Sequence, residues 1–206
     1  MSEVSAPAGA AELLAEIEEL SESCERHVRD ALGIALDGSI ETLPILDHYI
    51  SLSRDAIRDR PELLPLLSRT IGAYFGRVLA RHFDGFWWLR SGDVHTWFVC
   101  LKHVFLALNP VGLAHAALVS DDIEAMSGPP ADLRLAAEDR ELVERRLEAL
   151  PPVSEADYVR LSVRVEGIEI AVAALREQMH EGGLDDVRFE PSDYDDELTP
   201  DPQTLN

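Results

Sequence analysis

Apolar residues recur every three or four positions over most of this chain, and the places where that rhythm fails mark its strands and turns. Leu13, Ile17, Leu20, Cys24, Val28 and Ala31 form one stripe, which predicts an amphipathic helix from Ala11 that Gly33 ends in a left-handed cap. Ile34-Ala-Leu-Asp reads as a short strand, and Asp37-Gly38-Ser39 supplies turn chemistry. A second helix opens near Thr42, because Pro44 is tolerated only in a first turn, and runs to about Arg58 before Pro61. A third, about Glu62 to Phe83, carries Leu64, Leu67, Ile71, Tyr74, Val78 and His82 on one stripe. Gly72, Gly76 and Ala80 line another face with small residues, which predicts close approach by a neighbouring backbone. A ligand lying in that groove is the alternative.

After His82 the period changes. Phe86-Trp-Trp-Leu-Arg and Val94-His-Thr-Trp-Phe-Val-Cys-Leu are rich in aromatic and β-branched residues, and Ser91-Gly92-Asp93 between them predicts a hairpin. Val104 to Leu108 continues as a third strand. Asn109-Pro110 reads as cap and first position of a helix through about Val119, and Leu133-Arg-Leu as an edge strand after the Ser127-Gly-Pro-Pro loop. Glu138 to Leu150 reads as a helix ended by Pro151-Pro152. Ser154 and Asp157 then resemble a capping box before a seam of Tyr158, Leu161, Val165, Ile168, Val172, Leu175 and Met179. That seam reads as an internal contact, against the first helix, with a two-chain coiled coil as the alternative.

The pattern predicts an α+β fold: about six helices around a small antiparallel sheet of three or four strands. Residues 1–10 read as a disordered tail, 11–181 as a single domain, and 182–206 as an acidic disordered tail that Gly182-Gly183 sets off from the last helix.

Charge alters the picture at the two ends. The net charge is −21, and fifteen of those charges fall in residues 1–25 and 181–206. Such a field disfavours nucleic acid and anionic membrane; solubility alone is the simpler reading of it, and attraction of a basic protein partner is the sharper one. One lysine, Lys102, stands against seventeen arginines, which reads as the mark of a GC-rich bacterial genome. No segment reaches the roughly 18–20 apolar residues of a membrane span, and the N-terminus lacks the basic and apolar regions of a secretory signal. The expected location is the cytoplasm. Cys24 and Cys100 form no C-x-x-C and read as reduced, small apolar residues.

Candidate chemistry gathers in residues 82–115, which hold all three tryptophans and four of the seven histidines. His82, Asp93, His95, Trp97, His103 and His115 are the candidate ligand or partner surface, with Trp87, Trp88 and Trp97 expected in one aromatic cluster. The spacings match no metal-ligand signature, no nucleophile elbow and no phosphate loop, so no catalytic residue, metal or cofactor is assigned.

Three stretches, Leu36-Asp-Gly-Ser-Ile-Glu-Thr-Leu-Pro-Ile-Leu-Asp-His-Tyr, Gly72-Ala-Tyr-Phe-Gly and Leu-Asn-Pro-Val-Gly112, together with the Trp-rich segment, carry a resemblance over roughly residues 34–120. The chain resembles small uncharacterised cytoplasmic proteins, a domain of unknown function, of GC-rich Gram-negative soil bacteria. The resemblance implies no activity and no site residues. The reading that follows is an acidic cytoplasmic protein-interaction module, immunity-like or an adaptor, present as a monomer or weak homodimer. The alternative is a small enzyme or ligand-binding protein that uses the aromatic–histidine block.

Overall fold

The first apolar stripe becomes helix α1 (Ala10–Leu32), which buries Ile17, Cys24 and Val28 and ends at Gly33 with φ 68°. In the computed structural model, which describes residues 9–119 and 132–199, the Ile34–Asp37 segment is irregular rather than a strand. Leu36 is buried there while Ile34 is 48% exposed, and the chain instead tightens into a 3-10 turn at Ile40–Thr42. Helix α2 (Leu43–Asp59) follows with Pro44 in its first turn, and α3 (Leu64–His82) begins behind a second 3-10 turn at Pro61–Leu63.

Helix α3 is the axis of the molecule. One side meets α1, where Arg69 pairs with Glu16 and Arg77 pairs with both Glu18 and Glu25. Another side meets α4 (Pro110–Val119) at the small-residue groove. A Cβ on Gly72 would lie 2.5 Å from Val111 Cα, and one on Gly76 would lie 2.2 Å from the ring of Trp87. The groove is filled by protein, and the close-approach reading holds. Asn109 starts α4 as its sequence suggests: its Oδ1 accepts from Gly112 N–H at 2.9 Å while its amide donates to Val94 O at 2.8 Å.

Strands β1 (Gly85–Leu89), β2 (Trp97–Leu101), β3 (Leu106–Leu108) and β4 (Arg134–Leu135) form an antiparallel meander in chain order. Trp87 pairs with Val99 and Trp88 with Phe98, so alternate residues of each strand face opposite sides. This alternation divides the tryptophans, contrary to the expected single cluster. Trp97 and Trp87 pack toward α1 and α3 with Ile17, Ala73 and Val111. Trp88 lies on the other face with Phe98, Cys100 and Ala107.

The last seam is also corrected. Ser154 closes a single turn, α6 (Glu155–Tyr158), by accepting from Asp157 N–H at 3.1 Å, and Arg160 is extended before α7 (Leu161–Glu181) begins. Tyr158 therefore stands outside the seam, 53% exposed beneath the guanidinium of Arg164. The seam is internal, but α7 packs on α5 (Arg140–Glu148) and α2, whereas α1 packs on α3. Asp47 of α2 supplies the missing cap, accepting from Leu161 N–H at 2.8 Å and from Ser162 N–H at 3.2 Å.

The expected disordered tail is the largest departure. Residues 184–199 run across the outer face of the sheet, through a 3-10 turn at Pro191–Tyr194 and helix α8 (Asp195–Leu198), and the rest of the expected tail lies outside the described residues. Tyr194 is fully buried and Leu198 is 6% exposed. Acidic composition hid three apolar anchors, Phe189, Tyr194 and Leu198, that cover the Trp88–Phe98–Cys100 face. With eight α-helices and a four-stranded antiparallel sheet among the described residues, the fold is α+β. No helix among them is long and apolar enough to cross a membrane.

Candidate functional site

Asp84 turns the chain from α3 into β1 with φ 51°, a left-handed conformation that side chains other than glycine seldom adopt. Its two carboxylate oxygens are both engaged by the β2–β3 connection. Lys102 Nζ lies 2.5 Å from Oδ1 and His103 Nε2 lies 3.0 Å from Oδ2. The Lys102 hydrogen bond, then the one from His103, holds the Asp84 carboxyl below the usual carboxylate range. Chemically this is an exposed ion pair that fixes an imidazole.

The other candidates lie elsewhere. His82, at the end of α3, contacts Glu169 of α7 at 2.9 Å and packs edge-on against Phe83. Asp93 and His95 occupy the exposed β1–β2 loop, where Asp93 Oδ1 accepts from His95 N–H at 3.0 Å. Trp97 is fully buried and cannot be a surface residue: the strand turns it inward, and its indole N–H donates to Ser91 O at 3.0 Å. His115 lies half-buried between α4 and α3, 3.3 Å from Ser68 Oγ. The six residues occupy four places, and only Asp93, His95 and Trp97 share a loop and its strand.

The thiols are not poised for nucleophilic chemistry. Burial, reinforced by the Glu25 carboxylate, pushes the Cys24 thiol up to about 12, and burial also pushes up that of Cys100. The two are free and sit in different apolar clusters. Among the described residues, no group of three or more His, Cys, Asp or Glu side chains is placed to hold a metal ion.

Among the described residues, two depressions stand out. One, of about 290 Å³, lies between α2, the end of α4 and the α6–α7 junction. Two of its polar groups serve the fold: Asp47 caps α7, and Arg54 donates to Ala117 O at 3.1 and 2.7 Å at the end of α4. The second, of about 340 Å³, is open and lies between the start of α1 and the β1–β2 loop, with Glu12, Glu16 and Arg90 on its rim. Asp47 escaped sequence reasoning because its partners lie 114 and 115 positions away, and a lone aspartate inside a helix carries no local sign of that use.

The outer surface of the C-terminal strap is a more continuous chemical feature. Asp186, Glu190, Asp196 and Glu197 are exposed on it, while Asp195 turns inward to accept from the Trp88 indole at 3.0 Å and to pair with Arg90 at 2.8 Å. Tyr194 pins the strap, its hydroxyl donating to Leu101 O at 2.7 Å and accepting from Leu106 N–H at 3.1 Å.

Comparison with known proteins gives a family match over part of the chain and no activity. Residues 1–102 match the model of a family of unknown function (DUF6278). No curated protein and no solved structure matches the chain. The match spans α1 to β2, so an uncharacterised domain is what the N-terminal half is similar to. The strap, β3 and β4 lie beyond it.

Proposed function

We propose that the protein is a binding module for a basic protein partner, with the acidic surface of the C-terminal strap as its docking charge. The observation that carries this reading is that buried side chains anchor a segment on which four carboxylates, those of Asp186, Glu190, Asp196 and Glu197, are exposed. Phe189, Tyr194 and Leu198 fix the backbone, so Asp186, Glu190, Asp196 and Glu197 project from a defined surface rather than from a random coil. Fixed charges of one sign raise the encounter rate with an oppositely charged partner and suppress wrong ones. The dispersal of the histidines into separate pairwise contacts also favours recognition over a shared site.

The acids of α1 contribute less. Glu16 is paired with Arg69, and Glu18 and Glu25 share Arg77, which leaves the group one negative charge. The strap is therefore the place to intervene. Reversing Asp186, Asp196 and Glu197 to lysine should leave the fold intact and cut capture of a basic partner from host lysate by about tenfold or more at low salt. Equal capture by wild type and the triple variant would contradict the proposal.

The second reading, a small enzyme or ligand-binding protein, rests on the Asp84–Lys102–His103 cluster, where one carboxylate orients both a cation and an imidazole. It requires Asp84→Asn to abolish a measurable binding or turnover without lowering stability.

A further inference from the structure

The strap differs from every other covering element in how it is held. It crosses the sheet without pairing as a strand, and its backbone meets the sheet region where Phe189 N–H donates to Lys102 O at 2.9 Å. Its regular structure is one 3-10 turn and one turn of helix, and Glu190 and Asp193 close that first turn on each other rather than on the sheet. It leaves α7 at Gly182-Gly183, with Gly183 at φ 70°, and Leu184, Asp185 and Asp186 are exposed before the first anchor. Acids outnumber bases eight to one over residues 181–199, so its own charges repel along its length. Beneath it lies an apolar face of Phe86, Trp88, Phe98, Cys100 and Ala107. Apart from Ala107, that face lies inside the family match, and its cover lies outside it.

We propose that residues 184–199 form a reversible cover that swings on Gly182-Gly183 and bares the aromatic face of the sheet, Cys100 included, while the helical core stays folded. The packing separates the two events. Trp97, Trp87 and Val99 hold the opposite face of the sheet against α1, α3 and the main core, and no strap residue belongs to those clusters. Release of Tyr194 gives up its bonds to Leu101 O and Leu106 N–H, the latter keeping Val104 O at 3.0 Å, without breaking a strand pair, since the β2–β3 ladder joins Val99 to Leu108 and Cys100 to Ala107. Opening is thus a local transition, of the kind that exchanges far more often than the global fold. The cover is independent of the identity of any partner and of the charge reading above.

The two cysteines report on it. Cys100 lies under the strap and Cys24 lies in the core between α1 and its neighbours, and both are inaccessible when closed. The full-length protein is treated with N-ethylmaleimide under native conditions, and the two cysteine peptides are followed by mass spectrometry. Cys100 should be alkylated at least about tenfold faster than Cys24. Leu198→Ala, which removes one anchor, should speed Cys100 by about tenfold or more and leave Cys24 unchanged. Asp195→Ala, which deletes only the contacts to Trp88 and Arg90, should act in the same direction by a smaller factor and guards against a variant that fails to fold. Alkylation of Cys100 no faster than Cys24 in the wild type would overturn the proposal. So would variants that accelerate both thiols alike or neither.

Discussion

At Gly76 one hydrogen stands where a methyl group would meet the ring of Trp87 at 2.2 and 2.3 Å and the ring of Pro110 at 2.9 Å. Helix propensity alone would make Gly76→Ala stabilising by about 1 kcal/mol, but rigid rings on two sides cannot yield, and overpacking of this kind costs about 1–3 kcal/mol. The variant is therefore expected to lose stability in urea, with a lower midpoint and an unchanged slope; a gain would mean that α3, α4 and β1 do not meet here. Burial of the thiols sets a pH dependence. With the folded-state value of Cys24 raised from 9.0 to about 12, its contribution is complete below 9.0 and declines as pH rises toward 12, because the unfolded chain ionises first. By pH 10 that loss is about 1 kcal/mol per buried thiol, so the Cys24→Ala, Cys100→Ala variant should show a flatter alkaline limb than wild type in urea unfolding at pH 8 to 10.

Elements with a local cause were legible in the sequence, and those with a distant cause were not. Gly33 and Asn109 end and start their helices through bonds within a few residues, the three- and four-residue spacing located α1, α3 and α7, and Pro44 and Pro61 bounded α2. The short strand expected at Ile34 failed because no neighbouring strand pairs with it among the described residues; two apolar residues alone do not make a ladder. The last seam read as unbroken from Tyr158 because the apolar spacing continues across Arg160, where the backbone nevertheless turns out of the helix. What permits that break is Asp47, far away in sequence. Asp47→Ala should cost about 1–2 kcal/mol, since Leu161 N–H and Ser162 N–H lose their acceptor at the start of α7. Chemical denaturation of the variant checks this, and a change of a few tenths would assign the cap to solvent. Of the six candidate site residues, sequence reasoning placed the histidines in one block, but strand alternation and the turn at Asp84 distribute them over separate contacts.

At the scale of the whole molecule, one sheet carries two unlike covers. Helices α1, α3 and α4 close one face, and a short acidic strap closes the other. Composition alone argued for disorder after Gly183, yet Phe189, Tyr194 and Leu198, spaced five and four residues apart, suffice to seat the segment because the sheet offers a preformed aromatic surface. The ring of Phe105 stacks on Tyr194 at 4.5 Å between centroids, and Phe189 meets both edge-on. Seating turns a run of carboxylates into a defined surface, and the proposed recognition of a basic partner depends on it. Hydrogen exchange of the intact chain, followed by mass spectrometry, tests that dependence directly. A docked strap requires residues 189–199 to exchange at least about tenfold more slowly than an unstructured peptide, and faster than β2, whose amides lie in the core of the sheet. Exchange of the whole segment at unstructured-peptide rates would mean that the strap does not dock, and the fixed acidic surface would not exist.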